Sequence, residues 1–172
     1  FQPDYVYVHG DTTTTMAACI AAFYSGARVC HVEAGLRTFN KRSPFPEEVN
    51  RSIVGSIADF HFSPTTVSKE NLLNENIPKE NILVTGNTVI DALDFSTKKV
   101  TSTDFIDKNI EQLENIITNS KRLILVTGHR RENHGQGFIN ICSALVKIAN
   151  ENKDVQIIYP VHLNPNVQKP VF

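Results

Sequence analysis

The feature that most restricts how this chain can fold is a strand that runs into a tight turn and then a helix, and that recurs along the sequence. Tyr5 to Val8 is a β-branched and aromatic run bounded by Pro3-Asp4 and Gly10. It leads straight into an Ala-rich helical pattern over Thr12 to Ala22, with threonines as cap candidates. Ala27 to Val32 repeats the strand signal, and Leu36 to Phe45 lacks an apolar period and reads as a loop carrying Arg37, Lys41 and Arg42. Pro46-Glu47-Glu48 opens a helix, with proline in the first turn and two acids where the helix dipole favours them. Val49, Ile53, Ile57 and Ala58 are its expected buried stripe. Phe60 to Phe62 reads as a strand, Thr65 to Asn76 as a helix, and Asn81 to Thr85 as a further strand closed by Gly86-Asn87. This alternation predicts the α/β class, a parallel sheet covered by helices on both faces and joined by right-handed crossovers.

Between Asp94 and Ser120 apolar residues thin out, and only Phe105, Ile106, Ile110, Leu113, Ile116 and Ile117 hold a helical stripe. That change of character marks a domain boundary. A strand at Arg122 to Val126, a Gly- and charge-rich loop from Gly128 to Gly137, a helix over Phe138 to Asn150 and a strand at Val155 to Val161 then restart the pattern. A length of 172 residues alone suggests about one domain, whereas the pattern gives parts of two, residues 1–88 and 89–172. The chain opens on Phe1 and closes on Lys169-Pro170-Val171-Phe172 without a further element, so it reads as a stretch of something longer, expected to be unstable and inactive when expressed alone.

Composition removes several function classes. With 17 Lys+Arg against 18 Asp+Glu, there is no global field to draw in nucleic acid or an anionic membrane, so any anion site must be local. Apolar stretches such as Leu123 to Val126 fall far short of the roughly 18 residues a membrane span needs, and no basic-then-apolar leader opens the chain. Cys19, Cys30 and Cys142 share no CxxC spacing and lie in apolar runs, which predicts buried reduced thiols and a cytoplasmic setting.

Polar residues that could carry chemistry gather where strands end. His9-Gly10-Asp11-Thr12 joins a strand to a helix, the place where ligands bind in open α/β sheets; Asp11 is either a functional carboxylate or a helix cap. In His31-Val32-Glu33-Ala34-Gly35-Leu36-Arg37, period two puts His31 and Glu33 on one face of a strand, as a functional pair or a structurally satisfied one. Glu47 and Glu48 sit about 100 degrees apart on a helix, with Arg51 in ion-pair reach of Glu47, although an acidic first turn explains both without function. Gly128-His129-Arg130-Arg131-Glu132-Asn133 fits neither the Walker loop nor GxGxxG, and is a diphosphate cradle or a solvated basic loop. His162, in Pro160-Val161-His162-Leu163, ends another strand and is equally well structural.

Taken in order, His9-Gly10-Asp11-Thr12, His31 to Thr38, Pro46 to Arg51, Thr85-Gly86-Asn87-Thr88, Gly128 to Asn133 and Pro160 to Asn166 resemble the non-hydrolysing bacterial UDP-N-acetylglucosamine 2-epimerases. The resemblance implies a GT-B-like fold, two doubly wound parallel-sheet domains facing a cleft, both incomplete in this chain. It implies interconversion of UDP-GlcNAc and UDP-ManNAc by expulsion of UDP to 2-acetamidoglucal and re-addition, for surface polysaccharide synthesis. By resemblance the catalytic residues are Asp11, Glu33, Glu47 and His129, and substrate binding falls to Asp11, Glu33, Arg51, His129, Arg130 and Arg131. An allosteric UDP-GlcNAc site, found in some members, maps to Glu47, Arg130, Arg131 and His162. No cofactor and no metal are expected, and the expected partners are the nucleotide sugars and a second copy in a homodimer, with no nucleic acid and no membrane.

Two other readings compete. The pairs His9/Asp11 and His31/Glu33 could converge on a cation in a metal-dependent hydrolase. A nucleotide-sugar-binding module without turnover is the other, disfavoured by the intact set of acids and His129.

Overall fold

The computed structural model describes residues 2–117, 121–130 and 133–172. The chain divides into two compact units, Phe1–Thr103 and Asp104–Phe172.

The first unit is built on four parallel strands in sequential order, β1 (Tyr5–His9), β2 (Arg28–Val32), β3 (Phe60–Ser63) and β4 (Ile82–Val84). Helices α1 (Thr13–Tyr24), α2 (Glu47–Ile57) and α3 (Thr66–Asn74) link them. Sequential order with right-handed crossovers sends every linking helix to the same face. Among the described residues these three helices cover one face of the sheet. Val8, Cys19, Ala22, Ala27, Val29 and Val54 form the main core under α1 and α2, and Ala34, Leu72 and Ile82 a second cluster under α3. Side chains alternate along strands, so the opposite face carries Tyr5 against Phe60 and Tyr7 against Phe62, with ring centroids 6.3 and 6.1 Å apart. Both tyrosines remain exposed.

Local chemistry explains the helix starts. Thr12 is extended and its hydroxyl accepts from the Thr15 N–H at 3.1 Å, and Thr65 does the same for Ser68 at 3.1 Å, each satisfying a backbone donor that the first turn leaves open. The expected stripe of α2 is displaced. Val49 is 37% exposed, whereas Glu48, Asn50, Val54 and Gly55 are buried; Ile57 and Ala58 alone of the expected set pack against the core. Polar residues turn inward here because each finds a partner there.

Helix α4 (Thr88–Val100) belongs to the first unit and was not foreseen; Asn87 caps it by accepting from the Val89 N–H at 3.0 Å. The 88/89 division drawn from sequence falls at its start. The second unit holds α5 (Lys108–Ile116), the parallel pair β5 (Arg122–Leu125) and β6 (Val155–Ile158), α6 (Gln136–Glu151) and α7 (Pro165–Val171). Phe138 and Val167 are its buried anchors. Helix α7 was also unforeseen, and Asn164 caps it with Pro165 in the first turn, where proline's missing N–H costs nothing. Cys19 and Cys30 are buried free thiols, whereas Cys142 is only partly buried.

Candidate active site

The turn after β1 sets the geometry. Gly10 adopts φ 74°, a left-handed conformation that favours glycine, and its N–H donates to the Val32 carbonyl at 3.0 Å. Because Thr12 supplies the cap of α1, Asp11 is not spent on that role. Its carboxylate accepts from Arg51 Nη2, and its carbonyl accepts from Asn50 Nδ2 at 2.8 Å.

Arg51 is itself held from behind. Its Nη1 donates to Glu48 Oε2 at 3.1 Å, and Glu48 Oε1 accepts from the backbone N–H groups of Thr38 and Phe39 at 2.9 and 2.8 Å. The side chains of Arg51 and Glu48 are 11% and 4% exposed, a burial made tolerable by the opposite charges and by partners for both guanidinium NH2 groups, although among the described residues Nε is left without one. The ion pair expected between Glu47 and Arg51 is thus formed by Glu48 instead, since the three-residue spacing lets that acid reach the guanidinium from the buried side. Glu47 heads α2, partly buried.

His31 and Glu33 do not act as a pair. β2 ends at Val32, and Glu33 takes φ 67°, so strand alternation no longer governs it. Its Oε2 meets His9 Nε2 at 3.1 Å. His31 is buried, 1% exposed, and bonds the Gly10 carbonyl through Nε2 at 2.8 Å. Burial lowers its pKa to about 4, so at neutral pH it is uncharged and the Nε2–H donates. His61, in register with His31 on β3, is buried as well, and burial pushes it down too.

A stability signature follows. A histidine near 6.5 in the unfolded chain and about 4 when folded leaves stability intact above pH 6.5 and erodes it as pH falls toward 4, by on the order of 3 kcal/mol. Urea unfolding across that window should show the loss, and His31→Gln should make it shallower, with His61 left to contribute; an equally steep curve in the variant would refute the assignment.

In the second unit the rings of His129 and His162 stack 5.3 Å apart at 18°. His162 Nδ1 accepts from the Asn164 N–H at 3.0 Å, which leaves Nε2 as the donor of the neutral ring. Arg130, next to His129 in sequence, is exposed, and Arg131 lies outside the described residues. Tyr159 donates to the Gly128 carbonyl at 2.7 Å and pins the start of this loop.

Asn50 was not weighed from the sequence, and Glu48 was weighed there only beside Glu47, with Arg51 assigned to Glu47. The two pairs proposed for a cation do not converge, because Asp11 is engaged by Arg51 and His31 by Gly10. Among the described residues no group of three or more His, Cys, Asp or Glu side chains is placed to hold a metal ion, and no helix is long and apolar enough to cross a membrane.

Parallel strands ending in a cluster of carboxylates and basic side chains define an α/β ligand-binding architecture, and the solved structures it matches are GT-B-like. One, from Neisseria meningitidis, is a UDP-GlcNAc 2-epimerase bound to UDP-GlcNAc, with a TM-score of 0.94 and 51% identity over 99% of this chain and 46% of that one. Another, from Methanocaldococcus jannaschii, is a UDP-GlcNAc 2-epimerase in complex with UDP-GlcNAc and UDP, with a TM-score of 0.75 and 34% identity over 98% of this chain and 44% of that one. The UDP-N-acetylglucosamine 2-epimerase of Salmonella typhimurium is 56% identical over 99% of this chain and 46% of its own length. The family model for UDP-N-acetylglucosamine 2-epimerase matches residues 1–172, and the chain belongs to that family. It spans about half the length of the curated relatives it matches.

Proposed function

We propose that the protein carrying this chain is a non-hydrolysing UDP-N-acetylglucosamine 2-epimerase that interconverts UDP-GlcNAc and UDP-ManNAc. A carboxylate takes the C2 proton while the C1–O bond to UDP breaks; UDP leaves with the bonding pair and C1=C2 forms, giving 2-acetamidoglucal. In the second half a UDP oxygen bonds C1 and an acid returns a proton to the other face of C2. Such a route needs acids able to exchange protons and cations to receive the departing diphosphate. Asp11, Glu33 and Glu47 fill the first need. His129 fills the second, with Arg130 and Arg131.

The observation that carries this reading is the state of the two strand-end carboxylates. Asp11 and Glu33 keep 27% and 33% side-chain exposure, each with a basic partner, Arg51 and His9. Neither is consumed as a helix cap. In the same reading the enzyme is a cytoplasmic homodimer that uses neither metal nor NAD and supplies ManNAc units for surface polysaccharide. UDP-GlcNAc as activator would contact Glu47, Arg130, Arg131 and His162.

The test is incubation of the purified protein with UDP-GlcNAc in deuterium oxide. UDP-ManNAc carrying deuterium at C2 is the expected product. UDP-ManNAc that retains the original C2 proton, or no UDP-ManNAc at all, would overturn the reading.

A further inference from the structure

Helix α2 begins at Glu47 and uses its next turn to grip Asp11 by both backbone and side chain, through Asn50 and Arg51. Arg51 alone would be a long side chain with several accessible rotamers, and fixing it costs entropy. Glu48 supplies that fixing from the buried side, and is in turn held by two backbone N–H groups of the loop at Thr38 and Phe39. The loop, Glu48, Arg51 and Asp11 are thus one continuous hydrogen-bonded chain.

We infer that Glu48 is a positioning residue for the proposed epimerase: it holds Arg51, and through Arg51 it sets the place and charge balance of the Asp11 carboxylate. The inference rests on the functional reading above and adds a residue that touches no substrate. The ionisable groups nearest Asp11 in the chain of contacts are Arg51 and Glu48 from α2, His31 from β2, bonded to the Gly10 carbonyl, and the His9–Glu33 pair, whose histidine ends β1. α1 adds no Asp, Glu, Lys, Arg or His.

Glu48→Gln removes the charge and also replaces Oε2, the acceptor for Arg51 Nη1, with an amide NH2 that cannot accept. Its amide oxygen still accepts from Thr38 and Phe39, but the negative charge opposite Arg51 is gone. Arg51 then acts on Asp11 uncompensated, which favours the ionised carboxylate. The acidic limb of kcat/KM against pH should move down by about half a unit or more, with kcat lowered about tenfold and KM for UDP-GlcNAc changed less than about threefold. Glu48→Asp, which keeps the charge, should return the limb to its wild-type position even if the rate stays low. A limb that stays in place in Glu48→Gln overturns the inference, because a merely structural role lowers rate or stability without moving it.

Should Glu48→Gln not fold, Arg51→Lys serves: one ammonium cannot bridge both acids as the guanidinium fork does, and the limb should move up as Asp11 loses its partner. An unmoved limb there also overturns the inference. Asp11→Asn separates the two levels. Full activity in that variant sinks the functional reading, whereas its inactivity together with an unmoved Glu48→Gln limb sinks only the role of Glu48.

Discussion

Glu33→Gln should abolish exchange of the C2 proton with solvent deuterium, by about a hundredfold or more, while UDP binding changes less than about threefold. The two side chains have the same shape, so the left-handed backbone at φ 67° and the contact to His9 can both persist. What disappears is basicity: an amide cannot take a proton from C2. In the proposed reading the diphosphate falls to His129, Arg130 and Arg131, and an amide keeps the size and hydrogen-bonding oxygen of Glu33, so affinity for UDP should survive. Proton NMR of the sugar in deuterium oxide reads exchange, and calorimetry reads UDP binding. Wild-type exchange in the variant would remove Glu33 from the chemistry.

The largest structural effect is expected at Gly35. A Cβ there would lie 2.1 Å from the Ser68 carbonyl oxygen and 2.8 Å from its carbon, at a backbone φ of 88°. The obstacle is helix backbone and cannot swing aside. α3 is fixed by fully buried Leu72 and by Asn71, whose Nδ2 donates to the Gly35 carbonyl at 2.9 Å. Gly35→Ala therefore combines backbone strain with overpacking, together about 4 kcal/mol, a large part of the roughly 5–15 kcal/mol that holds a domain folded. Gly26→Ala is the control, with φ 81° and nothing within 4 Å, so it bears the strain alone, about 1 kcal/mol. Urea unfolding midpoints should fall far more for Gly35→Ala than for Gly26→Ala. Equal midpoints would show that the close approach to Ser68 is not real.

The strand-turn-helix order was legible because it depends on local signals: β-branched runs at Tyr5 to Val8 and Ala27 to Val32, glycine at the turns, threonine and proline at the helix starts. Which face α2 buries was not, because the rule that the apolar stripe goes inward fails when the polar side finds partners. Glu48, Asn50 and Arg51 meet two backbone N–H groups and Asp11, all distant in sequence. The His31/Glu33 assignment failed for a related reason. Alternation holds only while the strand lasts, and the strand read over Ala27 to Val32 already ended before Glu33, so period two was carried one residue too far. α4 and α7 went unread because their residues looked like a thinning boundary and a proline-bearing end. The candidate residues Asp11, Glu33, Glu47 and Arg51 in the first unit and His129, Arg130 and His162 in the second were named from sequence, whereas what holds Asp11 came only from the fold.

The grip of α2 on Asp11 also sets what can be exchanged between proteins of this architecture. A turn carrying the sequence of His9 to Thr12, transplanted onto another parallel sheet, would bring an aspartate but not the amide and guanidinium that hold it. Its carboxylate would then relax into water like any surface acid. The smallest portable module is the turn together with the helix that follows the next strand, and within it substitutions at Glu48, Asn50 and Arg51 are not independent of Asp11.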